Sequence, residues 1–235
     1  MEHKRDRANG RQVLSWAVLD ILLVAIGTVT SASQMEFAPG SWGLLVVAVA
    51  LETTALHLPK GMFFSFSAAP ILGLGLLPQS RFMAIFAATM ALVARSLRQG
   101  GWSEAVIDAV PLLLPIAVLS LANAGQNASI LLSLSLYLIA SSLLFRSHRT
   151  FGTVPAESVV TPVNALGLAW LSAALAGPAL ALLGASRPLA GGLLALGLIA
   201  LQLGVGQAAA AAATREHERV EKVLLQSRAR QAEAA

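Results

Sequence analysis

Residues 189–213 read LAGGLLALGLIALQLGVGQAAAAAA, and residues 214–222 continue directly as TREHERVEK. An α-helix needs about 20 consecutive apolar residues to cross the hydrocarbon core of a bilayer, and the first segment supplies them without a charge. The second segment alternates acidic and basic residues, which suits water and not lipid. The stretch therefore predicts a membrane span that continues into an aqueous compartment.

The composition of the whole chain agrees with this interpretation. Of the 235 residues, 56% are hydrophobic and 12% are charged, and the mean hydropathy is +0.72. A soluble protein carries about 25% charged residues, so this chain needs lipid as a second solvent. The net charge of +4 comes from short basic clusters between apolar runs, which does not predict nucleic-acid binding. The absence of cysteine excludes disulfides and thiolate metal sites.

Seven further apolar segments precede residues 189–213. In chain order, the eight segments are 13–30, 42–58, 62–77, 82–94, 105–122, 129–145, 163–185 and 189–213. They predict an all-α fold, a polytopic transmembrane helix bundle of about eight spans with a C-terminal cytoplasmic helix. Six or seven spans are the alternatives, because segment 82–94 is short enough to be tilted, interfacial or shielded inside the bundle.

The basic residues favour eight spans and give them a direction. If the N-terminus is cytoplasmic, only Arg81 and Arg187 of the 16 Lys and Arg residues fall in external loops. Cytoplasmic loops are enriched in Lys and Arg, so both termini are predicted to be cytoplasmic. The domains are then a basic N-terminus at 1–12, a transmembrane bundle at 13–213 and a cytoplasmic linker helix at 214–235. Asp20 interrupts the first apolar run, which disfavours a cleaved signal peptide.

Prolines lie between and inside the predicted spans, and pairs of small residues lie inside the last two. Pro59, Pro78 and Pro188 predict turns between neighbouring spans. Four other prolines lie inside apolar segments and are expected to kink or interrupt their helices: Pro70, Pro111, Pro115 and Pro178. Ala173 with Gly177, and Ala200 with Gly204, have a spacing that lets helix backbones approach closely. We expect packing within the chain at these pairs, a homodimer seam being the alternative.

The C-terminal tail is predicted to be helical. Neither Gly nor Pro occurs between Ala208 and Ala235, and alanine has the highest helix propensity. We therefore expect one continuous helix from about 208 to 230, with Val220, Val223 and Leu224 on one apolar stripe. The two interpretations of this segment are a solvated tail and a short coiled-coil helix that relays a signal to a neighbouring module.

Four ionisable residues lie in or beside apolar segments: Asp20, Glu52, His57 and Asp108. An ionisable group in the hydrocarbon region is costly and usually faces the bundle interior or water. Asp20 and Glu52 are expected at similar depth, so the four residues could form one ligand- or proton-binding pocket open to the cytoplasm. Interfacial positions for His57 and Asp108, and structural protonated carboxyls at Asp20 and Glu52, are the alternatives.

Signatures of catalysis and of metal binding are missing from the sequence. It contains no Walker loop, no Gly-x-Ser-x-Gly elbow and no His-Glu-x-x-His motif. The four histidines are scattered through loops and tail without metal-ligand spacing. We therefore expect no enzymatic activity, no metal site and no cofactor.

Residues 51–70 read LETTALHLPKGMFFSFSAAP and are followed by Leu76-Leu77-Pro78. This block resembles the N-terminal, MASE-like membrane region of bacterial signalling proteins that carry HD-GYP or GGDEF output domains. The resemblance implies a sensory or anchoring module of the bacterial inner membrane that relays a signal to a cytoplasmic output domain or partner. The same block also resembles the substrate-binding membrane subunits of energy-coupling-factor transporters. Binding or transport of a vitamin-like small molecule is therefore the second expectation, and a structural membrane subunit is the third.

Overall fold

The computed structural model describes residues 2–32, 39–57, 63–99, 102–122, 126–150 and 160–233. These residues form eight α-helices, which confirms the all-α class. The helices are α1 (Glu2–Ser31), α2 (Pro39–Thr53), α3 (Ala68–Leu76), α4 (Arg81–Gln99), α5 (Trp102–Leu121), α6 (Gln126–Thr150), α7 (Val160–Ser186) and α8 (Pro188–Glu233). Two strands of two residues each, β1 (Leu56–His57) and β2 (Phe63–Phe64), pair antiparallel between α2 and α3.

Three helices are long and apolar enough to cross a membrane. Their apolar windows are Leu14–Ser31 in α1, Pro78–Leu97 at α4 and Leu189–Ala208 in α8. Shorter apolar stretches occur in α2, α5, α6 and α7. The molecule therefore has the composition of a helical membrane protein. Segment 82–94, which looked short in the sequence, belongs to a 19-residue helix.

The second and third predicted segments have the wrong boundaries. α2 ends at Thr53 and not near residue 58, and α3 begins at Ala68 and not at residue 62. The hydroxyls of Thr53 and Thr54 both donate to the carbonyl of Ala50, and such local bonds compete with helix propagation. With nine residues, α3 is about 14 Å long, less than half of the hydrocarbon thickness.

This short helix lies at the centre of the bundle. All nine residues of α3 are buried, and the helix packs against α2, α4, α5 and α7. A Cβ atom added at Gly73 would lie 2.8 Å from the carbonyl oxygen of Gly177, so α3 and α7 touch through their backbones. Packing within the chain is thus confirmed for Ala173 and Gly177.

The second small-residue pair behaves differently. Ala200 and Gly204 are both exposed on α8, and a Cβ at Gly204 would meet nothing within 4 Å among the described residues. The expectation that this pair also packs within the chain is therefore wrong. The reason is that α8 buries a different stripe, which includes Ala195, Leu198 and Gln202.

Side-chain contacts fix the relative directions of the helices. Ser41 bonds to Ser80 near the start of α2 and α4, and Glu52 pairs with Arg95 near their ends, so these helices are parallel. The hydroxyls of Ser31 and Ser120 lie 3.1 Å apart at the C-terminal ends of α1 and α5, which are likewise parallel. We call the two ends of the bundle the Glu52 end and the Ser31 end.

Three of the four interior prolines lie within helices that continue past them. Pro111 and Pro115 are inside α5, and Pro178 is inside α7. Pro70 is the third residue of α3, where the amide hydrogen that proline lacks has no acceptor within the helix. The expected interior break at Pro70 is therefore wrong. The predicted turn at Pro78 is confirmed, because this residue opens a 3₁₀ turn between α3 and α4.

The last helix is the longest. α8 runs through 46 residues, about 69 Å, and includes residues 208–230, which confirms the predicted continuity of the tail. The side chains of Val220, Val223 and Leu224 lie outside the described residues, so the apolar stripe stays a prediction.

Candidate functional site

Glu52 lies in the last turn of α2 and is completely buried. The hydroxyl of Ser67 donates to its Oε2 atom at 2.6 Å, and the guanidinium of Arg95 pairs with both carboxylate oxygens. A carboxylate at the C-terminal end of a helix faces the negative end of the helix dipole. Arg95 and the N-terminal end of α3, which begins just after Ser67, offset this unfavourable position.

The sequence leaves two alternatives for Glu52: a neutral, protonated carboxyl group, or a carboxylate that is paired with a cation. Arginine stays protonated in proteins, so the contact with Arg95 favours an ionised carboxylate. The ion pair is well enclosed, because the Arg95 side chain is only 13% exposed. A buried pair with extra hydrogen bonds fixes geometry, and the loss of one partner leaves an uncompensated charge.

A buried amide on α8 contacts the break between α2 and α3. Gln202 is 0% exposed. Its Nε2 atom donates to the carbonyl of Leu51 and, at 2.9 Å, to the hydroxyl of Thr54. Its Oε1 atom accepts the backbone N–H of Phe66 at 2.8 Å. One side chain thus bonds to both sides of the break.

Serine side chains complete the same network. The hydroxyl of Ser65 donates to the carbonyl of Leu51 and accepts the backbone N–H of Ser67. An apolar environment provides no water for these backbone groups, so a non-helical stretch is tolerated only where protein groups satisfy it. Residues 63–67 can leave the helical conformation because Ser65 and Gln202 supply those partners.

These residues form one cluster that joins four helices, and we call it the polar junction. It consists of Glu52 and Thr54 from the end of α2, Ser65 and Ser67 before α3, Arg95 from α4 and Gln202 from α8.

Asp20 lies outside the polar junction. Its side chain is 6% exposed, and neither carboxylate oxygen has a hydrogen-bond partner among the described residues. α1 packs against α4 and α5, whereas α2 packs against α3, α4 and α8. The described contacts therefore do not join Asp20 to Glu52, which the sequence allows to share one pocket.

The other two candidates are located only by their backbones. His57 belongs to β1 and Asp108 to α5, and the side chains of both lie outside the described residues. Their roles as ligand- or proton-binding residues stay predictions.

Five members of the polar junction are not identified as site residues by the sequence: Thr54, Ser65, Ser67, Arg95 and Gln202. Gln202 could have been noticed, because it is a lone polar residue in the apolar run 189–206. The sequence identifies Arg95 only as a positive charge in a predicted cytoplasmic loop. Nothing in the sequence assigns it to Glu52, which is 43 residues away.

The chain matches no protein-family model, no curated protein and no solved structure.

Proposed function

We propose that this chain is a membrane-embedded sensory or anchoring module that relays a signal to a cytoplasmic partner or output domain through α8. The observation that carries the proposal is the set of bonds made by Gln202. This side chain ties the helix that continues into the charged tail to the break between α2 and α3.

The rest of α8 is weakly held. Only 22% of its apolar window is buried, and large side chains such as Leu189, Leu193 and Leu196 point away from the bundle. Because so little of α8 is packed, its position depends on its few specific contacts, such as the hydrogen bonds of Gln202. A change at the α2–α3 break would therefore alter the partners of Gln202 and displace α8.

The uninterrupted helix would carry that displacement outward. Glu233 lies about 46 Å along the helix from Gln202. A partner that contacts the tail could therefore respond to an event inside the bundle without contacting the bundle.

The proposal includes eight spans, cytoplasmic termini and a location in the bacterial inner membrane. The distribution of Lys and Arg supports this topology. Parallel pairing of α2 with α4, and of α1 with α5, also supports it, because helices that are both odd or both even in the order should run the same way. Alkaline phosphatase fused after residue 127 or 187 should be active, and after residue 98 or 149 inactive. Activity after residue 149 would contradict the span count.

A second candidate function is the binding or transport of a small, vitamin-like molecule. The observation that favours it is the short α3, whose N-terminal end lies inside the bundle beside a buried ion pair. Helices broken in this way form substrate sites in many transporters. A structural subunit is the third candidate, and it requires no motion of α8.

The relay can be tested by replacing Gln202 with Leu. The chain contains no cysteine, so spin labels can be attached to cysteines introduced at exposed Leu97 and Leu225 without background. We expect the distance distribution between the two labels to shift or broaden in Gln202→Leu. The matched control is Gln207→Leu, because Gln207 is exposed on the same helix.

Identical distributions in the parent, the variant and the control would contradict the relay and leave the structural subunit. A shift in Gln202→Leu, with none in Gln207→Leu, would support it. If instead an added vitamin-like compound changed the labels' distance in the parent and were also taken up by vesicles, the transport function would replace the relay.

A further inference from the structure

We propose that Asp20 is a proton-binding site at the contact of α1 with α4 and α5, and that this conformation is its protonated state. The proposal does not depend on Gln202 or on the relay. It rests on a buried carboxyl group that lacks the partners given to Glu52.

The Asp20 side chain is isolated from the hydrogen-bond donors of the described residues. Asp20 is 94% buried, yet neither oxygen has a donor among the described residues. Glu52 on α2 is also buried, but it bonds to the guanidinium of Arg95 and the hydroxyl of Ser67. The difference cannot be attributed to exposure, because both groups are excluded from water.

The contacts of Gly27 and Ser31 show the level at which Asp20 lies in the bundle. A Cβ at Gly27 would approach Ile85 on α4 and Ala117 on α5, and Ser31 meets Ser120. Gly27 is two turns along α1 from Asp20, on the same face. Because α1 and α5 are parallel, the same offset brings Asp20 level with Ala109 and Val110, both buried and apolar.

The α4 side is apolar at this level as well. α4 and α5 are joined by residues 100 and 101 alone, so α4 is antiparallel to α5 and hence to α1. Two turns from Ile85, toward the Glu52 end, is Leu92. At the level of Asp20, Leu92 on α4 and Ala109 and Val110 on α5 are thus apolar.

Several charged residues lie on the three helices that meet at this contact. On α4, Arg95 lies about one turn closer to the Glu52 end and is bound to Glu52, while Arg81 lies near the Ser31 end and donates to the carbonyl of Gly75. On α5, Asp108 falls about half a turn from the level of Asp20, and Glu104 lies farther toward the Glu52 end. On α1 itself, the nearest charged residue is Arg11, about 14 Å away along the helix.

The positions of these charged groups determine the protonation state of Asp20. No cation among the described residues neutralises it. A carboxylate without donors in an apolar contact is far less favourable than the neutral acid. One carboxylate oxygen therefore carries a proton in this conformation.

Release of that proton has a structural consequence. The group passes from –COOH to –COO⁻ and gives H⁺ to water, and the new charge requires water or a cation. α1 must then separate from α4 and α5 to admit them. Because α1 itself is only 22% buried in its apolar window, this helix is the element that can move.

The experiment uses the full chain reconstituted in neutral lipid vesicles. Infrared difference spectra between acidic and alkaline buffer should contain the C=O band of a protonated carboxyl group that is lost at alkaline pH. We expect Asp20→Asn and Asp20→Leu to lose this band and Glu52→Gln to keep it. A band that persists in both Asp20 variants, or that is absent from the parent, would overturn the proposal.

A second measurement tests the motion. Spin labels at exposed positions 14 on α1 and 97 on α4 should move apart at alkaline pH in the parent. Both Asp20 variants should keep the acidic distance at every pH, because Asn and Leu cannot ionise. If the two labels of the parent keep one distance at every pH, the proposed coupling is wrong. If sodium at constant pH reproduces the alkaline change, the ligand is a cation and not a proton.

Discussion

Two carboxyl groups lie at nearly the same level on different helices, and the protein treats them in opposite ways. Glu52 has a guanidinium, a hydroxyl and the N-terminal end of a helix around it. Asp20 has apolar neighbours and no described donor. The comparison teaches that burial alone does not predict the role of an acidic residue in a membrane. The partners decide whether it holds a charge in place or holds a proton.

The largest expected effect is at Arg95. Its replacement by Leu leaves Glu52 buried and charged without its counter-ion, and the loss of one partner of a buried pair costs about 3–5 kcal/mol. Unfolding of the variant in mixed detergent micelles should show this loss. The double variant Glu52→Leu, Arg95→Leu should recover most of it, because an apolar pair of similar volume needs no counter-charge. A double variant as unstable as the single one would contradict the assigned pairing.

The next effect compares the packing of α3, which begins at the polar junction, with that of α1, which carries Asp20. Gly73→Ala on α3 would place a Cβ 2.8 Å from the backbone oxygen of Gly177, and overpacking of this kind costs about 1–3 kcal/mol. Gly27→Ala on α1 would meet the Cδ1 atom of Ile85 at 2.6 Å, which is the far end of a flexible side chain. We expect the second variant to lose less than about 1 kcal/mol. Equal losses in the same unfolding assay would mean that α1 is packed as rigidly as α3.

The smallest effect is expected at Asp20. Asp20→Leu removes a polar group that makes no described hydrogen bond, so stability at acidic pH should stay within about 0.5 kcal/mol of the parent or rise. Glu52→Leu, the matched variant, should destabilise because it strands Arg95. Unfolding of both variants in acidic buffer is the measurement. A large loss in Asp20→Leu would show that Asp20 has a partner that stabilises the fold.

Some of this architecture could be predicted from the sequence. The apolar runs located most helices, because a helix in lipid must satisfy its own backbone and its sequence then reads as hydrophobic. The unbroken run of helix-forming residues after Ala208 was sufficient to predict the tail. Glu52 was recognised because a carboxyl within an apolar segment is rare.

The break between α2 and α3 could not be located in this way. The hydropathy of an apolar residue is the same in a helix and in an extended segment, so the apolar pattern predicts a span that includes residues 62–67. Whether the chain can leave the helix there depends on donors and acceptors that arrive from elsewhere, above all from Gln202. The pairing of Glu52 with Arg95 was beyond reach for the same reason, since it exists only once α2 and α4 lie side by side.

The bonds of Gln202 also have a geometric consequence for the tail. They fix the rotation of α8 about its own axis. Because the helix is unbroken, this rotation sets the direction of every side chain after Gln202, including Leu225. One extra alanine within residues 208–213 would turn the whole tail by about 100° while lengthening it by only about 1.5 Å. Seven extra residues would return it to within about 20° of the original direction. The direction in which the tail presents its side chains therefore depends strongly on the length of residues 208–213, whereas its reach depends on it only slightly.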